Sequence, residues 1–118
     1  MYEVSRKFPL QCSRIAPTAV EASSRVESLS IEVNITCSVE NLDDNGVSTA
    51  FSDFDKSISL VVDTFKHRYL NEILRHPSYE NLAREIFSMV LPVLPEVACV
   101  EIEEAGVGKV CYRVTGEA

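Results

Sequence analysis

Few side chains in this sequence are of types that do chemistry by themselves. There are two histidines, His67 and His76, and four cysteines, Cys12, Cys37, Cys99 and Cys111. The cysteines are scattered. No C-x-x-C pair occurs and no histidine stands at zinc-finger distance from them, so the spacing predicts no zinc finger. Each lies in a stretch that reads as strand, where cysteine commonly packs as a small hydrophobe. A disulfide framework is not expected in a reducing compartment. His67 falls just past a helical pattern, where an imidazolium is favoured by the negative end of the helix dipole. His76, immediately before Pro77, reads as a loop residue.

The charge balance narrows the partner classes. Eleven basic against 18 acidic residues give a formal charge of −7 and a pI near 4.8. Nucleic acid and anionic membranes both select clustered Lys and Arg, so neither is expected as a partner. No apolar run approaches the roughly 18 residues that a membrane-spanning helix requires. The stretch from Met1 to Lys7 lacks the apolar centre of a signal peptide, and a soluble cytoplasmic protein is expected. With 118 residues, 46% of them hydrophobic and 25% charged, the chain reads as a single domain over 1–118. A domain of that size buries roughly two-thirds of its unfolded surface.

Hydropathy periods outline the scaffold that must hold these residues. Tyr2, Val4, Phe8, Leu10 and Cys12 share one parity and predict a first strand. The stretch from Arg14 to Ser24 mixes Pro17 with small and polar residues and reads as a mobile connection. Leu29, Ile31, Val33, Ile35, Cys37 and Val39 alternate strictly with polar residues, which predicts a long half-buried strand. Turn chemistry follows from Asn41 to Gly46. From Asp53 the period becomes helical, with Phe54, Ile58, Val61, Val62 and Phe65 on one face. That helix is expected to be capped by Asp53 and to run to His67. Ser78 is the expected N-cap of a second helix, with Glu80 near its positive end. Leu82, Ile86, Met89 and Val90 form its apolar stripe, and Pro92 and Pro95 close it. Val97 to Glu104 and Val110 to Val114 read as two more strands around a turn at Ala105 to Gly108. Two strands, two helices and two strands predict an α+β domain: an antiparallel sheet with both helices on one face. The edges of such a sheet stay open unless subunits associate.

Three segments resemble the 6-pyruvoyl-tetrahydropterin synthase and 6-carboxy-tetrahydropterin synthase family. Phe51-Ser-Asp-Phe-Asp-Lys56 is similar to the Asp-Phe motif that opens the family's first helix. His67-Arg-Tyr-Leu-Asn71, followed by Pro77-Ser-Tyr-Glu-Asn-Leu-Ala83, is similar to its histidine-containing segment and the start of its second helix. Val100-Glu-Ile-Glu-Glu104 with Cys111-Tyr-Arg113 resembles its glutamate-bearing strand and closing strand. With the element order, the likeness covers nearly the whole chain. It implies the tunnelling fold, in which subunits join their sheets into a barrel. The usual assembly is a hexamer of two stacked trimers, with active sites between subunits.

The resemblance also marks a departure. Family enzymes bind zinc through a histidine after the first strand and a His-x-His pair opening the second. The matching positions here are Arg14, Arg25 and Glu27, and no histidine precedes His67. Catalytic zinc typically takes neutral imidazoles, which two arginines cannot replace. The family's cysteine position falls near Glu21. No metal and no cofactor is therefore expected. His67 matches the family's catalytic histidine, although Lys66 stands where an aspartate would orient the imidazole. Glu104 matches the glutamate that anchors the pterin ring. A carboxylate can accept two parallel N–H bonds from the amino-pyrimidine edge of a pterin or purine; at a strand end it can also be simply solvated. Cys12 can face the same cavity or lie in the core. Arg14 and Arg25 can hold an anionic substrate where the family has zinc, or be surface charges.

The expectation is a tunnelling-fold subunit of a homo-oligomer, most simply a homohexamer. Its leading function is that of a metal-independent enzyme acting on a small planar or carbonyl-containing metabolite, pterin-like or purine-like. The reaction would be a lyase, cyclisation or condensation step, with His67 and Cys12 catalytic and Glu104, Arg14 and Arg25 binding substrate. A non-catalytic ligand-binding or assembly protein is one alternative. A dihydroneopterin-aldolase-like activity is the other, although its lysine-dependent chemistry sits in a different sequence setting.

Overall fold

Alternation in the sequence becomes a four-stranded meander. The computed structural model describes residues 1–17, 25–47 and 51–114, and of 51–53 the backbone alone. Strands β1 (Tyr2–Arg14), β2 (Glu27–Val39), β3 (Val97–Glu104) and β4 (Gly108–Arg113) form one antiparallel sheet in the order β1-β2-β3-β4. Helices α1 (Phe51–Asp63) and α2 (Tyr79–Val90) cover one face, α1 against β1 and α2 against β3 and β4. The expected element order and fold class hold.

The core is built on β2, whose Leu29, Ile31, Val33, Ile35 and Cys37 are all buried. Its pairing with β1 runs from Tyr2↔Val39 to Arg14↔Glu27, which sets Leu10 and Cys12 beside Ile31 and Leu29. Between β2 and β3 the register shifts at Thr36/Cys37: Thr36 pairs with Cys99 and Cys37 with Val97. Directly paired residues share a sheet face. Val97 therefore joins the core with Val100 and Ile102, while Cys99 turns with Thr36 to the face away from the helices.

The helices bury the stripes their sequences carry. Ser78 caps α2, its Oγ accepting the Asn81 N–H at 3.0 Å, a contact typically worth about 1 kcal/mol. Leu82, Ala83, Ile86, Phe87 and Val90 of α2 are buried, and Phe87 meets Tyr112 of β4 edge-on at 5.2 Å between ring centroids. In α1, Phe54, Ile58, Val61 and Val62 enter the core. Arg6 of β1 donates twice to Asp55, at 2.9 and 2.7 Å, and ties α1 to the edge strand.

Two helix boundaries depart from the periodic reading. The first helix begins at Phe51, so Asp53 stands inside its first turn and not at the N-cap position. It ends at Asp63, not His67. Beyond that point the Phe65 and Lys66 N–H groups reach back only three residues, to the Val62 and Asp63 carbonyls. Such tightened turns commonly finish helices. Phe65 stays wholly buried, which is why the apolar period outruns the helix. A single 3-10 turn, Leu70–Glu72, precedes α2. The connection expected after Arg14 starts later, since β1 runs through Arg14; most of it, with Glu21, lies outside the described residues. Among the described residues, no helix is long and apolar enough to cross a membrane.

Candidate functional site

One end of the sheet gathers charged and aromatic groups from four elements. The Arg14 side chain, 12% exposed, lies over the Tyr79 ring with its guanidinium carbon 4.4 Å from the centroid. Arg14 Nε donates to Glu27 Oε1 at 3.2 Å, and Nη1 donates to the Pro77 carbonyl at 2.8 Å. Tyr79, the first residue of α2, donates its hydroxyl to Glu104 Oε1 at 2.5 Å. Glu27, Arg14, Tyr79 and Glu104 thus form a chain across the ends of three strands and a helix start. Burial, and then the bond to Glu104, push the Tyr79 hydroxyl well above its ordinary range, while Arg14 opposes the shift. Tyr79 therefore remains a neutral donor at physiological pH. A fixed donor on Oε1 sets the plane of the Glu104 carboxylate, and among the described residues no side-chain hydrogen bond reaches Oε2.

A second feature lies over the paired ends of β1 and β2. A hollow of about 440 Å³ is bordered by Gln11, Cys12, Ser13, Ser28, Ser30 and His67. The turn after α1 delivers His67 to it. Its N–H donates to the Gln11 carbonyl at 2.6 Å, and the Ser13 N–H donates to the Arg68 carbonyl at 3.0 Å. Ser13 and Tyr69 form a parallel bridge, so residues 67–69 cover the outer edge of β1 at its end. His67 has φ +59, in the left-handed region that costs a residue with a Cβ about 1 kcal/mol or more. The paired backbone holds it there with its side chain exposed.

Cys12 borders the hollow but belongs to the core, with 6% exposure. Burial pushes its thiol up to about 11, partly offset by Arg14. At neutral pH it is a protonated thiol, and the thiolate is the nucleophilic form. Burial and Glu96 likewise push the Cys37 thiol up to about 12. Released from the fold, both thiols would ionise near 9. Above that pH the unfolded chain binds fewer protons than the folded one, so stability must fall as pH rises. The urea midpoint is expected to decline steadily between about pH 9 and 11; a flat midpoint across that window would contradict the burial of these thiols.

The sequence model described as 6-pyruvoyl tetrahydropterin synthase matches residues 3–115. The chain belongs to that family. Among solved structures it is similar to 6-pyruvoyl tetrahydropterin synthase from Caenorhabditis elegans, with 19% identity, 97% of this chain and 96% of that chain covered, and a TM-score of 0.83. An uncharacterised protein from Wolinella succinogenes matches at 10% identity, 95% and 97% coverage and a TM-score of 0.75. The archaeosine synthase QueF-Like in its apo form matches at 19% identity, 98% and 96% coverage and a TM-score of 0.52. No curated protein matches the chain by sequence. At these identities the structural likeness establishes the tunnelling fold of a single subunit.

Within that family frame, the positions matched to the zinc ligands are occupied by an ion pair. Arg14 and Glu27 face each other in the β1–β2 register and bond to each other. A guanidinium already committed to Glu27 and the Pro77 carbonyl does not suit zinc, so the residues present do not fit the family metal at this place. The third position, Arg25, is exposed two residues ahead of β2 and joins neither group among the described residues. His67 and Cys12 share the hollow. Glu104 and Arg14 are joined through Tyr79, and among the described residues Glu104 does not border the hollow that His67 borders. Tyr79 itself was not singled out by pattern. In sequence it stands directly behind the Ser78 cap, within the family-like Pro77–Ala83 segment, and nothing local announces its bond to Glu104.

Proposed function

We propose that this member of the 6-pyruvoyl tetrahydropterin synthase family is a metal-independent enzyme for a small planar or carbonyl-containing metabolite. The substrate is pterin-like or purine-like, and the reaction is a lyase, cyclisation or condensation step. The observation that carries this reading is the Glu104 carboxylate, oriented by Tyr79 through one oxygen, with Oε2 not bonded among the described residues. Glu104 anchors an amino-pyrimidine edge through two parallel N–H bonds. Arg14 supports Tyr79 from the ring face, and Arg14 and Arg25 together attract anionic substituents. His67 moves protons, as an imidazole that can both give and take one suits general acid–base work. Cys12 borders the His67 hollow as a neutral thiol.

His67 and Glu104 act together when a second subunit brings one of them to the other, as an inter-subunit site requires. The outer edge of β4 has no strand partner among the described residues, and an open edge is a surface for strand pairing between subunits. The open edge supports a homo-oligomer, most simply a homohexamer. Sedimentation at micromolar concentration is expected to show a species of several subunits, and a stable 13.1 kDa monomer would remove the inter-subunit site.

The anchoring role is tested by Glu104→Gln. The amide keeps one acceptor and places a donor against a ligand donor. Calorimetric titration with a panel of pterins and purines is expected to show binding weakened by roughly 2 kcal/mol, about 30-fold. Equal affinity for every member of the panel would end the anchoring role. A second reading, a ligand-binding protein without turnover, is favoured by the burial of Cys12 in the core, at 6% exposure.

A further inference from the structure

We propose that Cys99, Glu101 and Cys111 form a binding site for a divalent metal ion of the zinc class, on the sheet face turned away from the helices. The site lies on β3 and β4, apart from Arg14 and Glu27, and stands or falls independently of the chemistry proposed for Glu104 and His67. The register shift between β2 and β3 is what puts Cys99 on this face. Glu101 lies directly opposite Cys111. The two sulfurs and a Glu101 oxygen all lie within 4.8 Å of one another. In a tetrahedral zinc site the ligand atoms are roughly 3.3–3.8 Å apart, given bond lengths of about 2.0–2.3 Å. Small side-chain rotations close that difference.

Donor chemistry selects the ion. Two thiolates and a carboxylate suit zinc or a similar borderline-soft divalent ion, not magnesium or calcium. Each ligand also has an outer partner. Thr36 stands directly opposite Cys99 in the β2–β3 ladder, and Arg113 Nη2 donates to Cys111 Sγ at 3.5 Å. Asn34 Nδ2 donates to Glu101 Oε1 at 3.0 Å, with Lys109 Nζ 3.9 Å from Oε2. Partners of this kind orient metal ligands and strengthen binding. Asn34 Oδ1 is buried and has no hydrogen-bond partner among the described residues, so an acceptor is left over beside the cluster for a metal-bound water. Three anionic ligands around a divalent ion leave one net negative charge, which Arg113 balances.

A disulfide fits less well. Cys99 and Cys111 are diagonal across the ladder, not opposite, because Cys99 pairs with Arg113. Diagonal neighbours stand about 7–8 Å apart, beyond the roughly 4.4–6.8 Å between the Cα atoms of disulfides. Binding of the ion displaces the two thiol protons to solvent, so affinity rises with pH.

The full chain, reduced and freed of metal, should be titrated with zinc in competition with a chromophoric chelator, and separately with cobalt. One ion per chain is expected, with a sulfur-to-cobalt charge-transfer band. Cys111 is exposed on the edge strand, so Cys111→Ser should unfold at the wild-type temperature in its metal-free form. It should lose most of the band and weaken zinc at least about a hundredfold, no less than loss of an outer partner costs. Glu101→Gln should weaken zinc while keeping the band. Failure of the wild type to take up stoichiometric zinc would overturn the proposal, as would a Cys111→Ser protein with unchanged affinity and an unchanged cobalt spectrum.

Discussion

His67→Asn is expected to lower turnover of any pterin or purine that the protein converts by about a hundredfold or more, with binding of the same compound nearly unchanged. Asparagine is the informative replacement. It tolerates the left-handed backbone that His67 adopts at φ +59, so the pairing of residues 67–69 with β1 persists. Alanine would remove the imidazole and add strain together. An amide side chain cannot exchange a proton near neutral pH, so the variant isolates proton transfer. Steady-state kinetics should show the loss in kcat, and calorimetry should show an unchanged dissociation constant. If Glu104→Gln weakens binding as expected but no compound is ever converted and His67→Asn alters nothing, the protein binds without catalysis.

Phe65→Ala is expected to destabilise the fold by about 3–5 kcal/mol, the usual cost of emptying a large buried aromatic site. Phe65 has no exposed surface, and it sits inside the turn that ends at His67. Its carbonyl accepts the Arg68 N–H at 3.2 Å. The side chain therefore anchors the segment that presents His67 to the hollow over the β1–β2 pair. Urea unfolding should show a lower midpoint with an unchanged slope. Phe65→Leu, which keeps most of the volume, should recover much of the loss. A Phe65→Ala cost below about 1 kcal/mol would mean that the core does not hold this turn.

Most of the scaffold is legible along the chain because burial on one face imposes a local period. The alternation of β2 appears in the structure as a buried parity running from Leu29 to Cys37. The third strand runs from Val97 to Glu104 as its pattern predicts, and Ser78 caps α2 as its position predicts. The end of α1 escapes this logic. The hydrogen bonding shortens from four residues to three after Asp63 while Phe65 stays on the buried face, so the apolar period continues where the helix does not.

The candidate sites were legible only in part. His67, Glu104 and Arg14 are recognisable through family resemblance, and the family match over residues 3–115 supports the frame in which they were read. What each of them touches is another matter. Arg14 reaches Pro77, and Tyr79 reaches Glu104, across long stretches of intervening chain; these meetings exist because the start of α2 packs against the ends of β1 and β3. The facing of Cys99 turns on a single register shift against β2. Register is a property of two strands together, so nothing local to β3 announces that Cys99, Glu101 and Cys111 converge. Composition and period are set residue by residue along the chain, whereas partners far apart in sequence are chosen by packing.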